Sequence, residues 1–148
     1  MAATLQEILC APDTQPKVID DCCALIDQEI AEKSGISGNA VKLAYKTVAT
    51  FASGYVRIMV ASFLPGIVTQ LEPFWADFTE SGGSAFGDYL AKRGAEVSEA
   101  LLTVTDERAE SSKRATLIKA YRAVRGGAVK HVEAALPRVG ELVLKYAA

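Results

Sequence analysis

The stretch that decides the fold is residues 47–71, TVATFASGYVRIMVASFLPGIVTQL, in which Arg57 is the only charged residue. So apolar a segment has to be covered by a lipid bilayer, a partner, a bound apolar ligand or the rest of the same chain. A transmembrane helix needs about 20 consecutive apolar residues, whereas Lys46, Arg57 and the Pro65-Gly66 pair divide this stretch into shorter runs. We therefore expect no transmembrane segment, and we expect the chain itself to bury the stretch.

When the first part of the stretch is placed on a helix, its polar positions form one narrow stripe. Residues 41–64 contain no proline and one glycine, Gly54. The polar side chains follow one another at intervals of 4, 4, 3 and 4 residues, the spacing of one helix face: Lys42, Lys46, Thr50, Ser53 and Arg57. A helix that is apolar or small around the rest of its circumference is typical of the centre of a bundle. The sequence thus predicts a long central helix over residues 41–64.

The remaining segments also have helical periodicity. Pro65-Gly66 is predicted to break the chain, and a second helix follows over residues 67–80, with these apolar residues on one face: Ile67, Val68, Leu71, Phe74, Trp75 and Phe78. Further helices are predicted over residues 14–33, 84–104 and 106–125 and around residues 132–146. No segment alternates apolar and polar residues over the length of a strand. We predict a single all-α domain over residues 1–148, a compact bundle of five to six main helices around the helix of residues 41–64.

Composition narrows the classes of function. A net charge of −2 and a pI near 5.5 disfavour nucleic-acid binding. The charge is uneven: residues 1–105 hold 7 Lys/Arg against 13 Asp/Glu, net −6, and residues 106–148 hold 9 against 5, net +4. The two parts of the chain are expected to attract each other. The odd number of cysteines and an N-terminus without signal-peptide character predict reduced thiols in the cytoplasm.

No residue pattern indicates catalysis or a metal. A single histidine, His131, excludes a two-histidine metal site within one chain, and no cofactor motif is present. Cys22 and Cys23 are adjacent, but neighbouring side chains diverge by about 100° on a helix, and both fall on an apolar face that suppresses thiol reactivity. An enzyme that uses a thiol or His131 is the weakest hypothesis, and a non-catalytic protein is favoured.

Candidate ligand-binding residues are the charges embedded in apolar sequence and their neighbours. Arg57, together with Lys46 and Lys42, could hold an anionic head group, and Trp75 could contact an apolar tail. Glu29 is an exception on the apolar face of its predicted helix and could pair with Arg57. The simpler alternative directs Arg57 to solvent or to the acidic face of residues 20–32 and places Trp75 in the core.

A basic strip is predicted on the helix of residues 106–125. Its members fall on one side of that helix: Arg108, Lys119, Arg122 and Arg125. Phosphate binding there is possible, but Glu107 and Glu110 on the same helix favour a solvated surface or contact with the acidic part of the chain.

The function predicted from these observations is a soluble, non-catalytic helical binding or interaction module that forms a homodimer. The dimer is expected because residues 41–78 contain more apolar side chains than a small bundle can bury. The alternative is a carrier of a small amphiphilic or anionic ligand held between the helices of residues 41–64 and 67–80.

Overall fold

The chain folds into α-helices connected by short loops. A computed structural model describes residues 3–148 and places eight helices in this range: α1 Leu5–Leu9, α2 Gln15–Ala31, α3 Gly35–Phe51, α4 Tyr55–Glu80, α5 Phe86–Lys92, α6 Gly94–Ser111, α7 Ala115–Arg125 and α8 Ala128–Ala147. The all-α prediction is confirmed for the described residues. The predicted domain also included residues 1 and 2, which lie outside them.

The core is built on the second half of α4. Its buried side chains recur at intervals of 4, 3, 4 and 3 residues: Leu64, Val68, Leu71, Trp75 and Phe78. This spacing places all of them on one face of the helix. The rings of Trp75 and Phe78 lie 5.0 Å and 4.9 Å from the ring of Phe86, the first residue of α5. Helix α8 completes the core with Leu136 and Val143.

Helix α1 is fixed to the same half of α4 by side-chain hydrogen bonds. Thr4 and Glu7 form a capping box at the start of α1. The backbone N–H of Gln6 donates to Glu72 Oε1 at 2.9 Å, and Trp75 Nε1 donates to the carbonyl of Ala3 at 2.9 Å. Leu5 and Leu9 of α1 are buried in the core that α4 forms. Helix α4 therefore holds α1 on the core.

The predicted central helix over residues 41–64 is wrong in both its boundaries and its position. The chain breaks at residues 52–54, where Ala52 is extended and Gly54 has φ +71°. Glycine adopts this left-handed conformation at little cost. The axes of α3 and α4 then diverge by 105°. Gly38 is the one residue of α3 that is buried, so α3 lies at the periphery of the molecule.

The break predicted at Pro65-Gly66 is also wrong, because α4 continues through it and through Pro73. A proline inside a helix removes one backbone hydrogen bond. Here both prolines lie on the exposed side, and the buried side chains before and after Pro65, Leu64 and Val68, continue one core face. Burial on that face outweighs the lost hydrogen bond. Residues 55–80, which the prediction divides between two helices with a cleft between them, form one helix.

In the second half of the chain, the breaks between helices lie at other residues than predicted. The helix predicted over residues 84–104 is broken at Arg93, between α5 and α6, and α6 continues past Thr105 to Ser111. Thr105, which precedes the predicted helix of residues 106–125 and could serve as its N-cap, lies inside α6 instead. Its hydroxyl donates to the carbonyl of Leu102 at 3.0 Å, as threonine does inside a helix. The loop of residues 112–114 separates α6 from α7 and puts Arg108 on a different helix from Lys119.

Within residues 3–148, no single helix has both the length and the apolar composition of a transmembrane helix. Helices α3 and α4 have that length and composition only when they are counted as one segment across the 105° bend between them.

Helices α5 and α8 cross at two glycines with their backbones in contact. A Cβ atom on Gly140 would lie 2.1 Å from the nitrogen of Gly87 and 2.2 Å from its Cα. A Cβ atom on Gly87 would lie 2.7 Å from the carbonyl oxygen of Pro137. Side-chain movement cannot relieve such contacts, because the atoms met are backbone atoms. This crossing therefore requires glycine on both helices.

We expect Gly140→Ala to lower the free energy of unfolding by about 3 kcal/mol or more, since α5 and α8 have to separate to admit the methyl group. Gly126→Ala is the matched control, because its Cβ meets nothing within 4 Å and its φ is −59°. The control should change stability by less than about 1 kcal/mol. Urea denaturation followed by circular dichroism measures both, and equal midpoints for the two variants would contradict the close crossing.

Candidate functional site

The basic residues predicted to hold an anion lie on the surface. Arg57 forms an ion pair with Asp20 of α2, and both side chains are largely exposed, at 47% and 68%. Lys42 and Lys46 of α3 are exposed. Arg57 thus contacts the acidic face of α2, which was the simpler of the two alternatives for this residue, and an exposed pair of this kind adds little stability.

Glu29 lies far from Arg57 and has a different partner. It is 8% exposed, and its Oε2 accepts a hydrogen bond from Arg138 Nη1 of α8 at 3.0 Å. Arg138 also donates to Glu32 at 2.7 Å. Among the residues that the structure describes, the other oxygen of Glu29 has no hydrogen-bond partner. The pair links α2 to α8 and explains how a carboxylate is accommodated on the apolar side of α2.

Trp75 is a core residue, and its indole N–H is already satisfied by Ala3. The five candidate ligand-binding residues are therefore not brought together in one place: Arg57, Lys46, Lys42, Glu29 and Trp75. The cleft predicted between residues 41–64 and 67–80 does not exist, because residues 55–80 form one helix.

The thiols and the histidine lie in environments that lower their reactivity. Burial, with a smaller contribution from Cys23, raises the pKa of the Cys22 thiol to about 11. Burial also raises the pKa of Cys23 and of Cys10. His131 Nε2 lies 2.7 Å from Ser37 Oγ, and burial and the charge of Lys33 lower its pKa. Within residues 3–148, no three His, Cys, Asp or Glu side chains are arranged to hold a metal ion.

Helix α3 presents large apolar side chains to solvent. Ile36 is 94% exposed, Leu43 67% and Phe51 41%. Their spacings of 7 and 8 residues place them on one side of the helix, and we call these three residues the α3 apolar face. The opposite side of α3 packs on α7, α4 and α2. Large apolar side chains are usually buried, because burial stabilises them. Several of them exposed on one side of a helix therefore indicate a contact surface.

A groove lies between the first half of α4, the end of α6 and α7. It has a volume of about 410 Å³ and apolar walls. From α4 come Tyr55, Ile58, Met59 and Phe63, and from α7 come Leu117 and Ile118. Ile58 is 61% exposed. We call this region the α4–α7 groove. The fully buried face of α4 begins at Leu64; in the preceding turns Val60 and Ala61 pack on the edge of the core, and Tyr55, Ile58, Met59 and Phe63 line the groove.

Three cations form the rim of the groove: Arg108, Lys113 and Arg114. The Arg108 guanidinium donates to Ser62 Oγ and lies 5.0 Å from the centre of the Phe63 ring. The Arg114 guanidinium lies 5.1 Å from the ring centre of Phe51 and 5.5 Å from that of Tyr55. Throughout residues 3–148, no carboxylate is within ion-pair distance of these three cations. The rim is therefore positive and uncompensated.

A polar network closes the inner part of the groove. Arg125 donates to both carboxylate oxygens of Asp106, at 2.9 Å and 3.1 Å, and Tyr121 donates to the same carboxylate. Thr105 Oγ1 lies 2.7 Å from the Tyr121 hydroxyl. The hydrogen bonds from Arg125, and secondly from Tyr121, hold the pKa of Asp106 below its usual value. Burial, together with Asp106, raises the pKa of Tyr121 to about 12. Asp106 thus stays ionised and is paired with Arg125, which also lies 3.6 Å from Glu99.

Sequence reasoning missed this groove. The sequence pattern places Arg108 on one predicted helix with Arg122 and Arg125, and it does not indicate Arg114 as a binding residue. The available signal was the sequence SSKR at residues 111–114, a cluster of hydroxyl and basic side chains of the kind that forms a loop. The contact of Arg114 with Phe51 depends on the 105° bend between α3 and α4, which the pattern of residues 47–64 does not reveal.

Comparison with known proteins adds a family but no role. A family model matches residues 5–147, and the family is described as one of unknown function (DUF6918). No curated protein and no solved structure shows significant similarity to the chain.

The Asp106 network makes a testable contribution to acid stability. Because the pKa of folded Asp106 is below its unfolded value, its stabilisation is present above pH 4 or so and is lost as the pH falls through the folded pKa. We expect Asp106→Asn, which has no such titration, to lose less stability than the wild type between about pH 5 and about pH 2. At neutral pH it should cost about 1 kcal/mol, because the carboxylate is partly exposed.

Urea denaturation at a series of pH values measures this difference. Glu110→Gln is the control, since Glu110 is an exposed carboxylate on the same helix and has no ion-pair partner among the described residues. The network has no role in acid stability if Asp106→Asn and Glu110→Gln have the same pH profile.

Proposed function

The chain belongs to the family DUF6918, and we propose that it is a non-catalytic interaction module that forms a homodimer through the α3 apolar face. The observation that carries the proposal is the exposure of Ile36 and Leu43 on a helix that buries only Gly38. Fully burying a side chain such as leucine or isoleucine is worth about 1.5–3 kcal/mol, so association gains free energy that the isolated chain does not.

The charge pattern of α3 is compatible with pairing of two copies. The helix carries Lys42 and Lys46 and has no acidic residue. In an antiparallel pair with a two-fold axis at Leu43, Lys42 of one copy faces Ala44 of the other, and Lys46 faces Ala40. Ile36 of each copy faces Thr50 of the other, beside Phe51. This arrangement buries the apolar side chains at the centre and leaves the lysines at the edge.

The chemistry of the remaining surface supports an interaction role rather than catalysis. The three cysteines have pKa values raised by burial, and the His131 ring is hydrogen-bonded to Ser37. A general acid or nucleophile normally has a pKa shifted toward neutrality or toward its reactive form. Cysteines without disulfide partners also suit a reducing compartment, and a cytoplasmic location is part of the proposal.

We expect the wild-type chain to be a dimer at tens of micromolar. Leu43→Lys should raise the dissociation constant at least about 100-fold, because a two-fold interface contains the substitution twice. Ile36→Lys should act in the same direction. Both side chains are exposed in the isolated chain, so the melting temperature of the monomer should change little.

Size-exclusion chromatography with multi-angle light scattering measures the mass of each variant. Ala91→Lys is the control, because it adds the same charge at an exposed position on α5. A wild-type chain that is monomeric at about 100 µM, or a Leu43→Lys variant that dimerises as the wild type does, overturns the proposal.

A further inference from the structure

We infer that the α4–α7 groove binds a small amphiphile that has one aliphatic chain and an anionic head group. The chain lies between α4 and α7, and Arg108 and Arg114 bind the head. The inference rests on the apolar walls and the uncompensated cations of one groove; it does not require the dimer proposed above, although Phe51 adjoins both surfaces.

The walls suit an aliphatic chain. Ile58 and Met59 face the groove from α4, and Leu117 and Ile118 face it from α7. A volume of about 410 Å³ is within the range of sites for small molecules, about 300–1,000 Å³. A protein partner normally needs about 800 Å² of surface on each side. The groove is therefore of a size for a small molecule, and Ile58, which is 61% exposed, gains cover when a chain binds.

The two arginines have unused donors. A guanidinium has five N–H donors, and the side chain of Arg108 uses one on Ser62 while that of Arg114 makes no hydrogen bond within residues 3–148. Guanidinium groups bind carboxylates and phosphates through two parallel hydrogen bonds. The rings of Phe63, Phe51 and Tyr55 lie beside these groups and restrict their orientation. An anion at the rim would meet donors that are already positioned.

The nearby acidic residues do not occupy these donors. Asp106, which adjoins the groove through Tyr121, is bound by Arg125. Glu107 lines an adjoining cavity together with Ser62, Phe63 and Arg108, but it forms no ion pair among the described residues. Lys113 adds a third positive charge at the rim. The local field thus favours an anion although the whole chain has a net charge of −2.

The test uses the full chain and four probes in isothermal titration calorimetry: laurate and dodecyl phosphate below their critical micelle concentrations, dodecanol below its solubility limit, and inorganic phosphate. Laurate and dodecyl phosphate should bind with dissociation constants in the micromolar range. Dodecanol, which lacks the charge, should bind at least about tenfold more weakly. Inorganic phosphate, which lacks the chain, should show no saturable binding. The ratio of laurate to dodecyl phosphate affinity identifies the preferred head group.

Variants separate the head site from the chain site. Arg108→Gln and Arg114→Gln should each weaken laurate about tenfold and leave dodecanol unchanged. Ile58→Ser should weaken laurate and dodecanol alike, and its exposure makes it a mild change for the fold. Arg122→Gln is the control, because Arg122 is an exposed arginine of α7 that does not line the groove.

Three results would overturn the inference: no saturable binding of laurate and dodecyl phosphate, equal affinity for laurate and dodecanol, or unchanged laurate affinity in folded Arg108→Gln and Arg114→Gln variants. Saturable binding of inorganic phosphate alone would also overturn it, since the site would then be a simple anion site. The mass of Arg108→Gln by light scattering keeps the two proposals distinct, because this substitution should leave the dimer intact.

Discussion

Burial of one face of α4 is the constraint on which the rest of the structure depends. The side chains of Leu64 to Phe78 on that face share one core with side chains of α1, α2, α5, α6 and α8, and Glu72 and Trp75 at its edge bind the segment of α1. The glycine crossing of α5 and α8 lets these two helices approach closely enough to close the core. The fully buried face begins at Leu64, and of the earlier turns only Val60 and Ala61 pack on the edge of the core. Tyr55, Ile58, Met59 and Phe63 line the groove instead.

Much of the fold follows from periodicity. The face predicted for residues 67–80 is the observed core face, with Val68, Leu71, Trp75 and Phe78 buried, and the helix predicted over residues 14–33 corresponds to α2. The attraction expected between an acidic and a basic part of the chain is also observed, since Arg138 pairs with Glu29 and Lys145 with Asp21. Helical periodicity and net charge depend only on residue type and spacing, so both can be predicted from the sequence.

The break between α3 and α4 could not be predicted in the same way. A single glycine in a helix costs only about 1 kcal/mol, so local propensity does not decide whether Gly54 continues the helix or adopts a positive φ. Packing decides the conformation of Gly54, because the turn at this residue allows α3 to pack on α7. Pro65 shows the converse, because burial on both sides of it keeps α4 continuous where local rules predict a break. The candidate site depends on that turn, since it brings Phe51 beside Arg114, and for this reason the arginines of the rim were not identified from the sequence.

The distribution of ion pairs explains why the groove remains positive. Three of the nine Lys/Arg residues in the basic part of the chain form ion pairs: Arg125 binds Asp106, Arg138 binds Glu29 and Glu32, and Lys145 binds Asp21. These pairs connect α6 with α7 and α2 with α8, and each uses a carboxylate that would otherwise be available to other cations. Asp106 matters most here, because its two arginine bonds remove the acid next to the groove from competition for Arg108 and Arg114. The same interactions that fix α7 on α6 therefore leave the rim cations free for an external anion.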